Sequence, residues 1–167
     1  MDMMMRRRAI MSAGASASGP LYPMEARSIK VSSSISVTIS GNNVRAYTSS
    51  NSRGPMFPRT AQASTIVQSS WPVWFTLSAG DEVDIYLKNI SYPATSNTPY
   101  SHVMLIASDG TEVTGIYNIK RDSDGGELHV NTTIESDVSI KALKVFNYRP
   151  LLFVFDIEIY VNGVRYV

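Results

Sequence analysis

The chain has 167 residues, 44% of them hydrophobic and 17% charged, with a formal net charge of +1 and no cysteine. That length suits one globular domain, or one domain with an arm, and can bury a sizeable core without staples. Disulfide scaffolds, thiolate zinc sites and cysteine catalysis are excluded. The two histidines, His102 and His129, stand singly with no carboxylate at a helical ligand spacing. The usual hydrolase and metalloenzyme constellations therefore lack their parts, and no cofactor is expected.

The small net charge conceals an asymmetry. Residues 1–60 hold eight basic side chains against Asp2 and Glu25, a net of +6, whereas the remainder holds seven basic against twelve acidic, a net of −5. No acidic residue occurs between Glu25 and Asp81. Such a stretch suits an acidic partner, including the acidic part of a neighbouring copy. Nucleic acid is disfavoured, because the basic residues after Arg8 are scattered and not interleaved with stacking aromatics.

The opening places Arg6, Arg7 and Arg8 ahead of only three apolar residues, Ala9, Ile10 and Met11. A secretory signal needs about 7–15 apolar residues in a row, so none is expected here. Nor does any run approach the roughly 20 apolar residues of a membrane span. Synthesis in the cytoplasm is the expectation. Residues 12–19 are small and polar and read as a linker, which makes residues 1–26 a flexible arm and linker and residues 27–167 the folded body. The arm is either a frayed start or an assembly element whose contacts are made by Arg6, Arg7 and Arg8.

Beyond the arm the dominant period is two. Residues 31–40 put Val31, Ile35, Val37 and Ile39 on one face, broken only by Ser33, and read as a half-buried strand ending at a turn over Gly41 to Asn43. Residues 49–58, with Ser, Asn, Gly and two prolines, read as a long surface loop. Residues 71–77 lead through Ser78, Ala79, Gly80 and Asp81 into Val83, Ile85 and Leu87, which reads as a tight reversal with Gly80 at a positive φ. A hairpin is predicted at Asp109-Gly110, a turn at Asp124-Gly125-Gly126, and a closing hairpin at Asn162-Gly163 that sets Val161 opposite Val164 and Ile159 opposite Tyr166. The best attempt at a helix, residues 140–146, is short and β-branched. About nine or ten antiparallel strands joined by Gly- and Asn-rich turns predict an all-β sandwich, jelly-roll-like, with strand order left open.

Candidate sites are few. Asp81, Glu82 and Asp84 flank one turn, and Asp122, Asp124 and Glu127 another. Either set offers oxygens to calcium, yet neither has the twelve-residue loop of a calcium hand, so solvated turn carboxylates are the preferred reading and no metal is expected. The segment from Trp71 to Phe75 is the most aromatic. Strict alternation turns Trp74 away from a core face shared by Val73 and Phe75. An outward indole, with Trp71 and Tyr86, would serve a subunit interface or stack on a sugar; the third reading is a Trp covered by its own chain. Gly-x-Ser-x-Gly does not occur, and no serine is distinguished as a nucleophile. Two formal glycosylation acceptors, Asn89-Ile90-Ser91 and Asn131-Thr132-Thr133, carry little meaning without a signal peptide.

The opening from Met5 to Met11 with its three arginines, the Ser/Gly linker, the all-β body with Leu77-Ser78-Ala79-Gly80-Asp81, and the ending from Ile159 to Val167 together resemble small virion proteins of tailed bacteriophages. The Ala-Gly-Asp turn is shared with carbohydrate-binding modules and with trimeric jelly rolls of the tumour-necrosis-factor type. The resemblance implies a non-enzymatic component of head, neck, tail or baseplate, located in the virion, present in many copies and contacting itself, as a trimer for instance, and other virion proteins. The alternative is a carbohydrate-binding module for a host-surface glycan.

Overall fold

The computed structural model describes residues 19–32, 35–48, 56–58, 73–91, 101–119, 126–147 and 151–167, and among these there is no helix. The strands are β1 (Arg27–Ser32), β2 (Ile35–Ser40), β3 (Asn43–Thr48), β4 (Met56–Pro58), β5 (Phe75–Leu77) and β6 (Glu82–Ser91). They continue as β7 (Ser101–Ala107), β8 (Glu112–Ile119), β9 (Leu128–Thr133), β10 (Val138–Asn147), β11 (Leu151–Val161) and β12 (Val164–Arg165).

Every pairing is antiparallel, in two sheets. The larger runs β1-β2-β3-β11-β6-β9, with β12 beside β11; the smaller runs β4-β10-β7-β8, with β5 beside β10. From β3 onward the pairs nest: β3 with β11, β4 and β5 with β10, β6 with β9, β7 with β8. A long antiparallel ribbon rolled on itself in this way is the winding of a jelly roll. The β1–β2 hairpin extends one edge of it.

Alternation builds the core. Strand β11 turns Phe153, Phe155, Ile157, Ile159 and Val161 inward, and β6 adds Val83, Ile85 and Leu87. Leu77, Val103, Leu105, Ile140, Leu143 and Val145 meet them from the smaller sheet. Strand β7 is enclosed on both sides, since Met104 and Ile106 are as buried as Val103 and Leu105. Its neighbour β10, the segment considered for a helix, buries Lys141 as well, at a register irregularity between Ile140 and Ala142. The Lys141 ammonium donates to the Ser108 carbonyl at 2.9 Å, so its charged head ends on a backbone acceptor.

Several expected elements take other forms. Residues 31–40 are not one strand: Ser32 stands opposite Ile35, so β1 folds back on β2 across residues 33–34. Part of the expected 49–58 loop is strand β4, and its Pro58 is tolerated because β4 lies at the sheet edge. The Ser78–Asp81 turn is a corner between sheets and no hairpin, for β5 belongs to the smaller sheet and β6 to the larger. Asp81 fixes that corner: its carboxylate accepts from the Ser78 N–H at 2.7 Å and from Asn162 Nδ2 at 2.8 Å, while Gly80 takes φ 87°. At Asp109-Gly110 three residues are enclosed by the bond from the Ala107 N–H to the Thr111 carbonyl, with Gly110 at φ 93° donating to the Ala107 carbonyl. The closing hairpin pairs Val161 with Val164 through Asn162 and Gly163, both at positive φ, as a type I′ turn requires.

The body also begins earlier than residue 27. The N–H groups of Leu21 and Tyr22 donate to the carbonyls of Arg165 and Tyr166, Met24 is buried, and the Tyr22 ring lies 4.9 Å from that of Tyr166. The last residues assigned to the linker are thus a packed extension of the C-terminal hairpin. No helix among the described residues is long and apolar enough to cross a membrane.

Candidate assembly surface

The outer face of the larger sheet carries the richest set of polar and aromatic side chains. Alternation puts Asp84, Tyr86 and Lys88 of β6, Asp156, Glu158 and Tyr160 of β11, and His129 and Asn131 of β9 there. Register aligns them in rows: Glu158, Tyr86 and His129 in one, Tyr160, Asp84 and Asn131 in the next.

Each member is held by its neighbours. Asp84 Oδ1 meets His129 Nε2 at 2.7 Å and accepts from Asn131 Nδ2 at 2.9 Å. Partial burial raises the Asp84 pKa, but the Asn131 and His129 hydrogen bonds and the His129 charge outweigh it and leave the carboxyl below its ordinary value. Glu158 accepts from Lys88 at 2.9 Å and from the Tyr160 hydroxyl at 3.0 Å. Burial raises its pKa too, and the bonds from Lys88 and Tyr160 bring it below normal. The hydrogen bond with Glu158 raises Lys88 in turn. Below these, Asp156 binds Asn43 Nδ2 at 2.8 Å and Asn89 Nδ2 at 2.6 Å, and Asn89 adopts φ 51° where β6 slips register against β11. This places the Asn89 acceptor sequence in a β-bulge.

Of the aromatic residues expected to face a ligand, the two that are described are engaged within the chain. Tyr86 does lie on the outer face, half-buried, yet His129 stacks on it at 4.2 Å with an interplanar angle of 4°. Lys88 Nζ sits 5.4 Å from the same ring centroid. Trp74 takes the third reading, a Trp covered by its own chain, against the outward orientation that strict alternation gives. It is 3% exposed, its Nε1 donates to the Tyr22 carbonyl at 3.0 Å, and it is Val73 that points outward at 47% exposure. Strict alternation fails because residues 73 and 74 precede β5, and the extension at residues 20–24 closes over the indole. Trp71, Arg6, Arg7, Arg8, Asp122 and Asp124 lie outside the described residues. Glu127 is exposed just before β9.

The opposite half of this outer face is plain and basic. Ser28, Lys30, Thr38, Ser40, Arg45 and Tyr47 of β1 to β3 are exposed there, and the three strands hold Arg27, Lys30 and Arg45 with no carboxylate. Around β6 and β9, residues 82–91 and 126–137 hold Glu82, Asp84, Glu127, Glu135 and Asp137 against Lys88 alone. Among the described residues the charges of this sheet divide in the same sense, with Lys30 and Arg45 on the outer face of the β1–β3 half and Glu82, Asp84, Glu127 and Glu135 around β6 and β9.

A cleft of about 550 Å³ opens at the end of the sandwich, near Asp109, Glu112, Glu135 and Asp137. Three of these carboxylates serve local structure. Asp109 accepts from the Thr111 N–H, Glu112 pairs with Lys144 at 2.6 Å, and Asp137 accepts from the Ala79 N–H. No group of three metal-ligating side chains is assembled among the described residues.

Sequence reading missed Asp84, Lys88, Glu158 and Tyr160 as a unit. Their signal was the alternation of β6 and β11, but only the register shows that they meet.

No protein-family model matches the chain, and no curated protein matches it. Among solved structures it is similar to a chain of the accessory secretory protein 1, 2 and 3 structure of Streptococcus pneumoniae, at 12% identity and TM-score 0.45, covering 87% of this chain and 99% of that one. An arabinose-bound α-L-arabinofuranosidase, MgGH51, aligns at 12% identity and TM-score 0.41 over 83% of this chain and 24% of its own. The VP2 subviral particle of infectious bursal disease virus aligns at 10% identity and TM-score 0.34 over 83% of this chain and 37% of its own. The chain thus spans about a quarter and about a third of the latter two.

Proposed function

We propose that this chain is a non-enzymatic structural subunit of a virus particle, assembling with copies of itself and with neighbouring particle proteins. The observation that carries this reading is the separation of charge across the larger sheet, which gives one subunit two edges of opposite sign. Side-by-side copies then attract through unlike edges and repel through like ones. The resemblance of its opening and closing sequences to tailed-phage virion proteins supplies the setting. Trp74 is buried and one face of Tyr86 is covered by His129, so these two residues lend the sugar-platform alternative no support.

Light scattering across a concentration series tests it. At low salt the mass rises to a fixed multiple of the monomer, and at about 1 M salt, where screening extends only about 3 Å, it falls back. A monomer at every concentration and salt overturns the reading.

A further inference from the structure

Resting on that assembly reading, we infer that the partner surface is the two end strands of the larger sheet, and that β1 of one copy adds to β9 of the next. Among the described residues, β9 pairs only with β6 and β1 only with β2. Sheets normally protect such edges with proline, lysine, bulges or very short strands. Strand β1 carries Lys30 and a register shift between Lys30 and Ser32, whereas among the described residues β9 shows none of these, being six residues without proline or lysine in unbroken register against β6 from Glu82–Thr133 to Leu87–Leu128. An undefended edge of that length is a template for another strand.

The topology selects which strand. Five antiparallel steps separate β1 from β9, so the two run in opposite directions within one subunit. A second copy set beside the first in the same orientation presents its β1 antiparallel to β9, and the alternation continues across the junction without inverting either subunit. The two strands are both six residues long.

Charge points the same way. The outer side of β1 carries Lys30, with Glu25 two residues ahead of the strand, and β9 is flanked by Glu127 and Glu135. Pairing β1 with β1 sets Lys30 against its own copy, and pairing β9 with β9 brings the two acidic flanks together. The unlike combination instead lays the Lys30 side of β1 along the acid-flanked β9. The contact is head-to-tail and produces rings where the rotation closes and filaments where it does not.

A charge exchange tests this. One variant is Ser28→Glu with Lys30→Glu; the other is Glu127→Lys with Thr133→Lys. All four positions are exposed and outside the Asp84 and Glu158 hydrogen bonds. With urea midpoints reporting a folded body, each variant alone assembles with an apparent Kd raised at least about tenfold. In an equimolar mixture the two variants associate with each other more tightly than either does alone, since each altered edge then meets an edge of opposite sign. Either variant assembling alone like wild type, or a mixture no better than its components, overturns the edge pairing while wild-type assembly leaves the structural reading standing. A wild-type chain that stays monomeric removes both.

Discussion

Trp74→Ala is expected to lower the unfolding free energy by about 3–5 kcal/mol, the range for truncating a large buried aromatic residue. The indole is 3% exposed, lies 5.1 Å from the Phe75 ring and donates to the Tyr22 carbonyl. Phe75 and Tyr22 also contact each other, and both contact Tyr166, so the loss spreads from the indole to the junction of residues 20–24 with the C-terminal hairpin. Trp74→Phe keeps most of the volume but leaves the Tyr22 carbonyl without its donor, and is expected to cost about 1–2 kcal/mol. Urea unfolding at neutral pH measures both. An alanine variant as stable as wild type would mean that the indole is not buried in solution, and would restore its candidacy as a ligand platform.

Gly115→Ala is expected to cost about 3 kcal/mol or more, although a single methyl is added. Gly115 stands opposite Met104 in the β7–β8 pair. A Cβ there would lie 2.3 Å from the Val103 carbonyl oxygen and 2.7 Å from Met104 Cα. Those are backbone atoms, so relief requires β8 to part from β7, and overpacking of this kind falls at the upper end of its usual range. Gly41→Ala provides the contrast. Its site is open space, and the cost there is only that of a non-glycine residue at φ 60°, about 1 kcal/mol. Equal urea midpoints for the two variants would contradict the close approach at Gly115.

These two residues also show where sequence reading stops. Local chemistry was legible: the Asn162-Gly163 turn, the inward row on β11 and the alternation of β6 all follow from neighbours in the chain. Alternation alone misplaces Trp74 because period two holds only within a strand, and the choice of the own-chain reading is made by residues some fifty positions earlier. The Ser78–Asp81 turn looked like a hairpin because a corner between sheets uses the same Gly and Asp chemistry. Its direction is set by contacts with Ile134 and Asn162, far away in sequence. The nesting of β3 to β11 was out of reach for the same reason. The charge asymmetry was visible as numbers, but that its described part divides across one sheet depends on β1 and β9 lying at opposite ends.

The most direct test of edge-to-edge assembly is amide hydrogen exchange, measured below and above the concentration at which the mass rises. Pairing of β1 with β9 of the next copy predicts that residues 27–32 and 128–133 gain protection together, with the central strand β11 unchanged. Protection that rises elsewhere while both edges exchange as in the monomer would contradict it.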